Sequence, residues 1–189
     1  MSKVILFQGD SITDCGRDRK VSGSLGSGYP RYVSADLGFE NPGEYEFLNR
    51  GISGNTLAQL ADRWQNDALS LKPDVVSILV GINDVYEFMR AKKENPDSTF
   101  DFASWEKQYR SLLDSLRANN SNIKIMIGAP FISNDGKNGK LSNYAEYDSM
   151  VSQLAAITKS IAHDYNAAFL PFDRMFTQLI AQQPRPGYW

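Results

Sequence analysis

The sequence is poor in cysteine and histidine. Among its 189 residues there is one cysteine, Cys15, and one histidine, His163. A single cysteine excludes an internal disulfide bond. A single histidine leaves His163 as the only imidazole that the chain itself can offer as a catalytic base.

Long hydrophobic runs and an excess of one charge are also absent. The apolar run Val4–Phe7 near the N-terminus is too short for a signal peptide or a membrane span. The net charge is −2, and basic residues are mixed with acidic ones, which does not indicate a nucleic-acid partner. We therefore expect a cytoplasmic protein that binds neither nucleic acid nor a membrane.

Apolar residues are nevertheless abundant enough for a folded core. The hydrophobic content is 42% and the aromatic content 12%, which favours one globular domain over residues 1–189. Short apolar runs predict five strands: Val4–Phe7, Tyr45–Leu48, Val75–Val80, Lys124–Ile127 and Ala167–Phe172. Longer periodic segments predict five helices: Tyr29–Leu37, Leu57–Leu69, Ala103–Leu116, Tyr144–His163 and Asp173–Ala181. The segment Pro184–Gly187 is expected to break the last helix.

The alternation of strands and helices predicts a mainly parallel sheet covered by helices. Right-handed crossovers bring all carboxyl ends of such strands to one edge of the sheet. Ligands of open parallel sheets bind beyond that edge. The residues directly after each strand are therefore the candidate functional residues.

The first strand is followed by Gly9-Asp10-Ser11. A glycine allows a sharp turn, and the serine hydroxyl is then exposed at the sheet edge, where backbone N–H groups can stabilise negative charge. The alternative is that Asp10 or Ser11 is only a helix N-cap. The triplet alone does not decide between a nucleophile and a cap.

Two further turns offer hydrogen-bond donors. After the second strand, Gly51 and Gly54 indicate a backbone open to close approach, and the Gly54 N–H is a candidate oxyanion donor. After the third strand, the side-chain amide of Asn83 is a second candidate, with Asp84 bracing its loop. A capped flexible turn and an Asx-turn are the respective alternatives.

The functional interpretation of the three turns is strengthened by their common position after predicted strands. Together they supply a serine hydroxyl, a backbone N–H and an amide at one sheet edge. Acyl transfer needs this combination of a nucleophile and oxyanion donors.

These segments resemble the first three sequence blocks of the GDSL, or SGNH, hydrolase family. The blocks are Gly9-Asp10-Ser11, Gly54 within Ile52-Ser53-Gly54-Asn55, and Gly81-x-Asn83-Asp84. The wider runs from Gly9 to Arg17 and from Lys72 to Ile78 resemble the branch with bacterial intracellular acetyl xylan esterases.

The resemblance implies a fold and a set of roles. The fold is a flavodoxin-like three-layer α/β/α sandwich with a five-stranded parallel sheet. Ser11 is the implied nucleophile, and the Ser11 N–H, the Gly54 N–H and the Asn83 side chain form the implied oxyanion hole. Asp10, Asp14 and Asp84 are expected to support the loops. No metal or organic cofactor is implied, and the expected substrate is a small ester or acetylated saccharide.

The fourth block of the family, Asp-x-x-His, supplies the base and its orienting acid. The sequence ends at Gly187-Tyr188-Trp189, before that block and before the final helix that follows it in relatives. We therefore expect a weak or inactive chain, in which an uncovered strip is buried by self-association or by residues not present here. His163 is not expected to substitute, because the helix that carries it leads to the amino end of strand five.

Three other functions compete with a carbohydrate deacetylase. A lysophospholipase or thioesterase would use the same chemistry with an apolar acyl groove. A non-catalytic remnant would bind an ester or glycan without turnover. A nucleotide-binding module is suggested by Gly23, Gly26 and Gly28, but that stretch does not directly follow a strand and lacks a Walker lysine. A deacetylase could use a sugar-facing aromatic rim formed by Tyr86, Phe88, Phe100 and Tyr188, and packing between helices is the alternative for each of them.

Overall fold

The computed structural model describes residues 2–133 and 141–182. Its five parallel strands form one sheet in the order β2-β1-β3-β4-β5. The strands are β1 (Lys3–Gly9), β2 (Tyr45–Asn49), β3 (Val75–Leu79), β4 (Lys124–Gly128) and β5 (Ala168–Leu170). The predicted parallel α/β sheet is confirmed.

Helices connect the strands, one more follows β5, and together they cover both faces of the sheet. They are α1 (Ser11–Asp14), α2 (Tyr29–Glu40), α3 (Leu57–Asp62), α4 (Trp64–Asp67), α5 (Ile82–Ala91), α6 (Phe102–Asn119), α7 (Tyr144–Asp164) and α8 (Phe172–Gln182), with a 3₁₀ turn at Leu69–Leu71. None of these helices is long and apolar enough to cross a membrane.

The two faces of β1 show the three layers. Phe7 contacts Tyr29 of α2 on one face, and Tyr29 in turn contacts Phe172 of α8. Leu6 points to the other face, into the large buried cluster that contains side chains of α3, α6 and α7. Alternate residues of a strand point to opposite faces, so β1 is buried on both sides.

The prediction of one continuous helix over Leu57–Leu69 is wrong. Its apolar face is buried as expected, but α3 ends at Asp62 and α4 begins at Trp64. Arg63 has φ −102° and ψ 2°, outside the helical region, which breaks the backbone hydrogen-bond ladder between them. Local periodicity does not detect such a break, because the apolar side chains keep their spacing across it.

Helix α5 was not predicted. Its first turn, Ile82-Asn83-Asp84, was interpreted as a turn because Asn and Asp favour turns. Val85 and Met89 in the following residues are buried, so packing on the core stabilises the helix. Strand β5 is three residues long, shorter than predicted, because α8 begins at Phe172. The predicted break at Pro184–Gly187 lies outside the described residues.

Candidate active site

Ser11 is the first residue of α1, directly after the central strand β1. Its side chain is exposed. Within residues 2–133 and 141–182, neither its hydroxyl nor its backbone N–H makes a hydrogen bond. Ser11 therefore presents a free hydroxyl and a free amide donor at the carboxyl edge of the sheet.

Asp10 caps this short helix and is fully buried. Its Oδ1 accepts a hydrogen bond from the Ile12 N–H at 3.0 Å, whereas its buried Oδ2 has no partner in the described part of the chain. Burial raises the pKa of Asp10 to about 6, and the charge of Asp84 adds to this effect. The nucleophile turn thus contains a carboxyl group whose pKa is raised by burial, so that it ionises at a higher pH than an exposed aspartate.

Asp14 joins the nucleophile turn to the loop after β2. Its Oδ2 accepts from the backbone N–H and the hydroxyl of Ser53, both at 2.9 Å, and from Arg19 at 2.8 Å. Burial alone would raise the pKa of Asp14, but the hydrogen bonds from Arg19 and Ser53 outweigh it, so the pKa lies below its usual value. A charged Asp14 therefore holds Ser53, the residue before Gly54.

Gly54 has φ 85°, a left-handed conformation that favours glycine. A Cβ at this position would meet no atom within 4 Å, so the backbone faces open space. Its N–H donates to no acceptor in the described residues. The position thus offers an accessible N–H donor in the loop after β2.

Asn83 lies in the first turn of α5, after β3. Its Nδ2 donates one hydrogen bond to the Asn55 carbonyl at 3.1 Å. An amide nitrogen carries two hydrogens, so a second donor is left for a ligand. The side chain therefore links the β3 edge to the Gly54–Asn55 segment.

Asp84 fixes the start of α3. Its carboxylate accepts from the Leu57 N–H at 3.1 Å and from the indole Nε1 of Trp105 at 3.0 Å. Burial raises the pKa of Asp84 to about 6 in spite of these bonds. Asp84 therefore contacts α3, which follows the Gly54 loop, and α6.

Strand order brings these segments together. β1 lies between β2 and β3, and Gly9 is paired in register with Leu79 at the end of β3. The segments after the three strands therefore begin at neighbouring positions on one edge, with Ser11 in the middle. Gly54 follows the strand on one side, and Asn83 follows the strand on the other.

His163 lies far from this edge. It is in the last turn of α7, its side chain is 90% exposed, and its Nδ1 lies 3.4 Å from the Asp164 carboxylate. β5, which follows it, is separated from β1 by two strands, a lateral distance of about 14 Å at the usual strand spacing. Direct proton transfer needs a heavy-atom distance of about 3 Å.

The glycine-rich stretch packs against the nucleophile turn. A Cβ on Gly26 would collide with the carbonyl oxygen of Asp14, and one on Gly28 would lie 2.7 Å from the Cβ of Cys15. Close packing inside the protein thus accounts for two of the three glycines. Within the described ranges, no group of three or more His, Cys, Asp or Glu side chains is arranged to hold a metal.

Tyr86, Phe88 and Phe100, three of the four residues expected for a sugar-facing rim, pack against other aromatic rings. Tyr86 contacts Tyr147, with ring centroids 5.1 Å apart, and Phe88 contacts Phe100 edge to face. These contacts agree with the alternative, packing between helices. Tyr188 lies outside the described residues.

Three polar residues near the site were missed. Arg63 donates hydrogen bonds to five residues, one of which is the completely buried Gln8. The side chain of Asn49 donates to the Thr13 carbonyl and accepts from the Gly51 N–H. A polar residue at the carboxyl end of a buried strand was a usable signal for Gln8 and Asn49. No sequence signal marked Arg63, which lies within an amphipathic pattern.

Comparison with known proteins identifies the family to which the chain is similar. The model of the GDSL-like lipase/acylhydrolase family matches residues 7–188. An acetylxylan esterase of Geobacillus stearothermophilus is 38% identical over 176 residues, which are 87% of this chain and 77% of that protein.

Solved structures show the same relationship. A protein from Parabacteroides merdae ATCC 43184 described as a GDSL-like lipase superposes with a TM-score of 0.80 and 32% identity, over 97% of this chain and 84% of that one. A catalytic mutant of a Geobacillus stearothermophilus acetylxylan esterase, with a histidine replaced by alanine, gives a TM-score of 0.78 and 31% identity over 96% and 82%. The chain therefore belongs to the GDSL-like lipase/acylhydrolase family and is a carboxylic ester hydrolase.

Proposed function

We propose that Ser11 is the nucleophile of an esterase that removes acetyl groups from saccharides through an acetyl-enzyme. The observation that carries the proposal is the exposed hydroxyl of Ser11, which has no hydrogen bond in the described part of the chain and lies between the loops of Gly54 and Asn83. The acetylated-saccharide substrate is supported by the similarity to the Geobacillus acetylxylan esterase.

The reaction has two steps. The Ser11 Oγ attacks the ester carbonyl carbon and gives its proton to a base, which leaves a tetrahedral oxyanion. The Ser11 N–H, the Gly54 N–H and the free hydrogen of the Asn83 amide donate to that oxyanion. The alcohol then leaves with a proton, and water releases acetate from Ser11. Each donor contributes because the charge it binds develops only in the transition state.

No histidine of the described residues lies beside Ser11 to act as the general base. A serine without a general base is a poor nucleophile at neutral pH, and His163 is too far from Ser11 to act. Loss of one triad member lowers turnover by roughly 10⁴- to 10⁶-fold and leaves the contribution of the oxyanion hole. We therefore expect slow hydrolysis by this chain and a large gain when a small base is added.

Imidazole supplies that base in a direct test. The rate of p-nitrophenyl acetate hydrolysis is measured for the 189-residue chain, for Ser11→Ala, and for Ser22→Ala as an exposed serine control, each with and without imidazole. The Ser11→Ala rate is subtracted, because imidazole itself cleaves this ester. We expect imidazole to raise the remaining, Ser11-dependent rate at least tenfold, equally in the wild type and in Ser22→Ala.

Two outcomes would contradict the proposal. Identical rates for wild type and Ser11→Ala with imidazole would show that Ser11 is not the nucleophile. Fast turnover without imidazole that Ser11→Ala abolishes would mean that another group of the chain acts as the base.

A second candidate is a protein that binds acetylated glycans without turning them over. It is favoured by one observation: no histidine of the described residues lies beside Ser11. Calorimetric binding of acetylated xylo-oligosaccharide, with no imidazole-dependent release of acetate, would support it. A series of p-nitrophenyl esters of increasing acyl length separates both candidates from a lysophospholipase or thioesterase, which would prefer the longer chains.

A further inference from the structure

Arg63 lies between α3 and α4 with its side chain only 14% exposed. Its guanidinium nitrogens donate hydrogen bonds in several directions, and no two of its acceptors belong to the same residue. The planar guanidinium suits this task, because its five N–H groups point in fixed directions.

On one side, Arg63 holds the end of the nucleophile strand. Its Nη2 donates to the Gly9 carbonyl at 3.2 Å, and its Nη1 donates to the Oε1 of Gln8 at 3.0 Å. Gln8 is completely buried, and its own Nε2 donates to the Asp67 carbonyl. The two residues before Asp10 and Ser11 are thus tied to the guanidinium.

On the other side, Arg63 holds the loop of the candidate oxyanion hole. Its Nε donates to the Oδ1 of Asn55 at 2.8 Å, and its Nη1 donates to the Arg50 carbonyl at 2.7 Å. Asn55 follows Gly54 directly, and its carbonyl accepts the hydrogen bond from Asn83. The guanidinium is therefore linked, through Asn55, to both oxyanion donors outside Ser11.

Gly54 is consequently held from two sides. Asp14 fixes Ser53 before it, and Arg63 fixes Asn55 after it. Within the described residues, the Gly54 N–H makes no hydrogen bond that would hold it in place. A glycine with a left-handed backbone has wide conformational freedom, so its direction depends on its two neighbours.

We propose that Arg63 is a positioning residue for ester hydrolysis, which holds the Gly54 N–H and the Asn83 amide at a fixed distance from Ser11. The proposal rests on the function proposed above. Asp67, whose carboxylate lies 3.0 Å from Arg63, balances the buried charge. Lysine in place of Arg63 would keep that charge but could not bond all sides of the network at once.

The test compares Arg63→Lys and Arg63→Gln with the wild type. Arg110→Lys is the matched control, because Arg110 makes ion pairs with Glu106 and Asp164 away from the site. Two quantities are measured: the exchange of backbone amide hydrogens in residues 50–56 by mass spectrometry, and kcat and KM for p-nitrophenyl acetate with imidazole.

We expect both Arg63 variants to exchange faster in residues 50–56 than the wild type, with exchange in β4 unchanged. We expect kcat to fall by about 10- to 100-fold with little change in KM, because displaced donors weaken binding of the transition state more than that of the ester. Arg110→Lys should match the wild type in both measurements.

Unchanged exchange in residues 50–56 of Arg63→Lys would overturn the proposal, whatever the rates. Faster exchange with an unchanged kcat would also overturn it, because the loop would then be displaced without consequence for the reaction. A failure of the proposed function is seen separately, as equal hydrolysis by wild type and Ser11→Ala.

Discussion

Asparagine at position 10 tests how the nucleophile turn accommodates a buried carboxyl group. The Oδ1 of Asp10 caps α1, whereas its Oδ2 has no partner in the described structure. Asparagine has the same shape and keeps the oxygen that accepts from Ile12, but it cannot ionise. We therefore expect Asp10→Asn to change the pH dependence of stability and to leave the fold intact.

The size of the effect follows from the pKa of Asp10, which burial raises from 3.8 to about 6. A carboxyl whose pKa is higher in the folded state stabilises that state when it is protonated. This contribution is full below pH 3.8 and is lost as the pH rises through 6. Each unit of pKa difference is worth about 1.4 kcal/mol, so the contribution of Asp10 to the unfolding free energy falls by about 2.5 kcal/mol between pH 4 and pH 8.

Urea unfolding at pH 4 and pH 8 measures this loss. Relative to the wild type, Asp10→Asn should gain about 2.5 kcal/mol between the two pH values, because asparagine does not titrate. The cost of burying its NH₂ group, about 1–3 kcal/mol, is the same at both pH values and cancels. Asp36→Asn, on the exposed side of α2, serves as the control. If the difference between wild type and Asp10→Asn is equal at both pH values, the reasoning is refuted.

Two further substitutions test the packing and the base. A Cβ on Gly51 would lie 2.5 Å from the Asp14 nitrogen, so we expect Gly51→Ala to cost about 1–3 kcal/mol and to lower the melting temperature by roughly 2–12 °C in calorimetry. Gly23→Ala, which meets no atom within 4 Å, should melt like the wild type, and an equal loss in both would contradict the packing argument. His163→Ala should leave the imidazole-assisted rate unchanged, whereas a rate loss of tenfold or more would make His163 part of the reaction.

Much of the site was predictable because parallel topology orders it. Ser11, Gly54 and Asn83 each follow a strand, and adjacent strands bring their carboxyl ends together without further information. Local sequence is sufficient for this result, since each strand is recognised by its own apolar run and each turn by its own glycine or asparagine.

Arg63 was not predictable for the opposite reason. Its acceptors Gln8 and Gly9 are 55 and 54 residues away in the chain, so its role exists only after the sheet has formed. The break between α3 and α4 also leaves no signal in the sequence, because the apolar spacing of Leu60 and Trp64 continues across it. Long-range hydrogen bonds of polar side chains leave no periodic signal in the sequence.

If Ser11 is the nucleophile, its hydroxyl carries the acyl group during the reaction. The chain is treated with p-nitrophenyl acetate and imidazole, quenched in acid, digested, and analysed by tandem mass spectrometry. We expect one acetyl group on the Ser11 hydroxyl, with none at that site in a sample mixed with ester only after quenching. Acetylation confined to lysines or to other serines, with an unmodified Ser11, would contradict it.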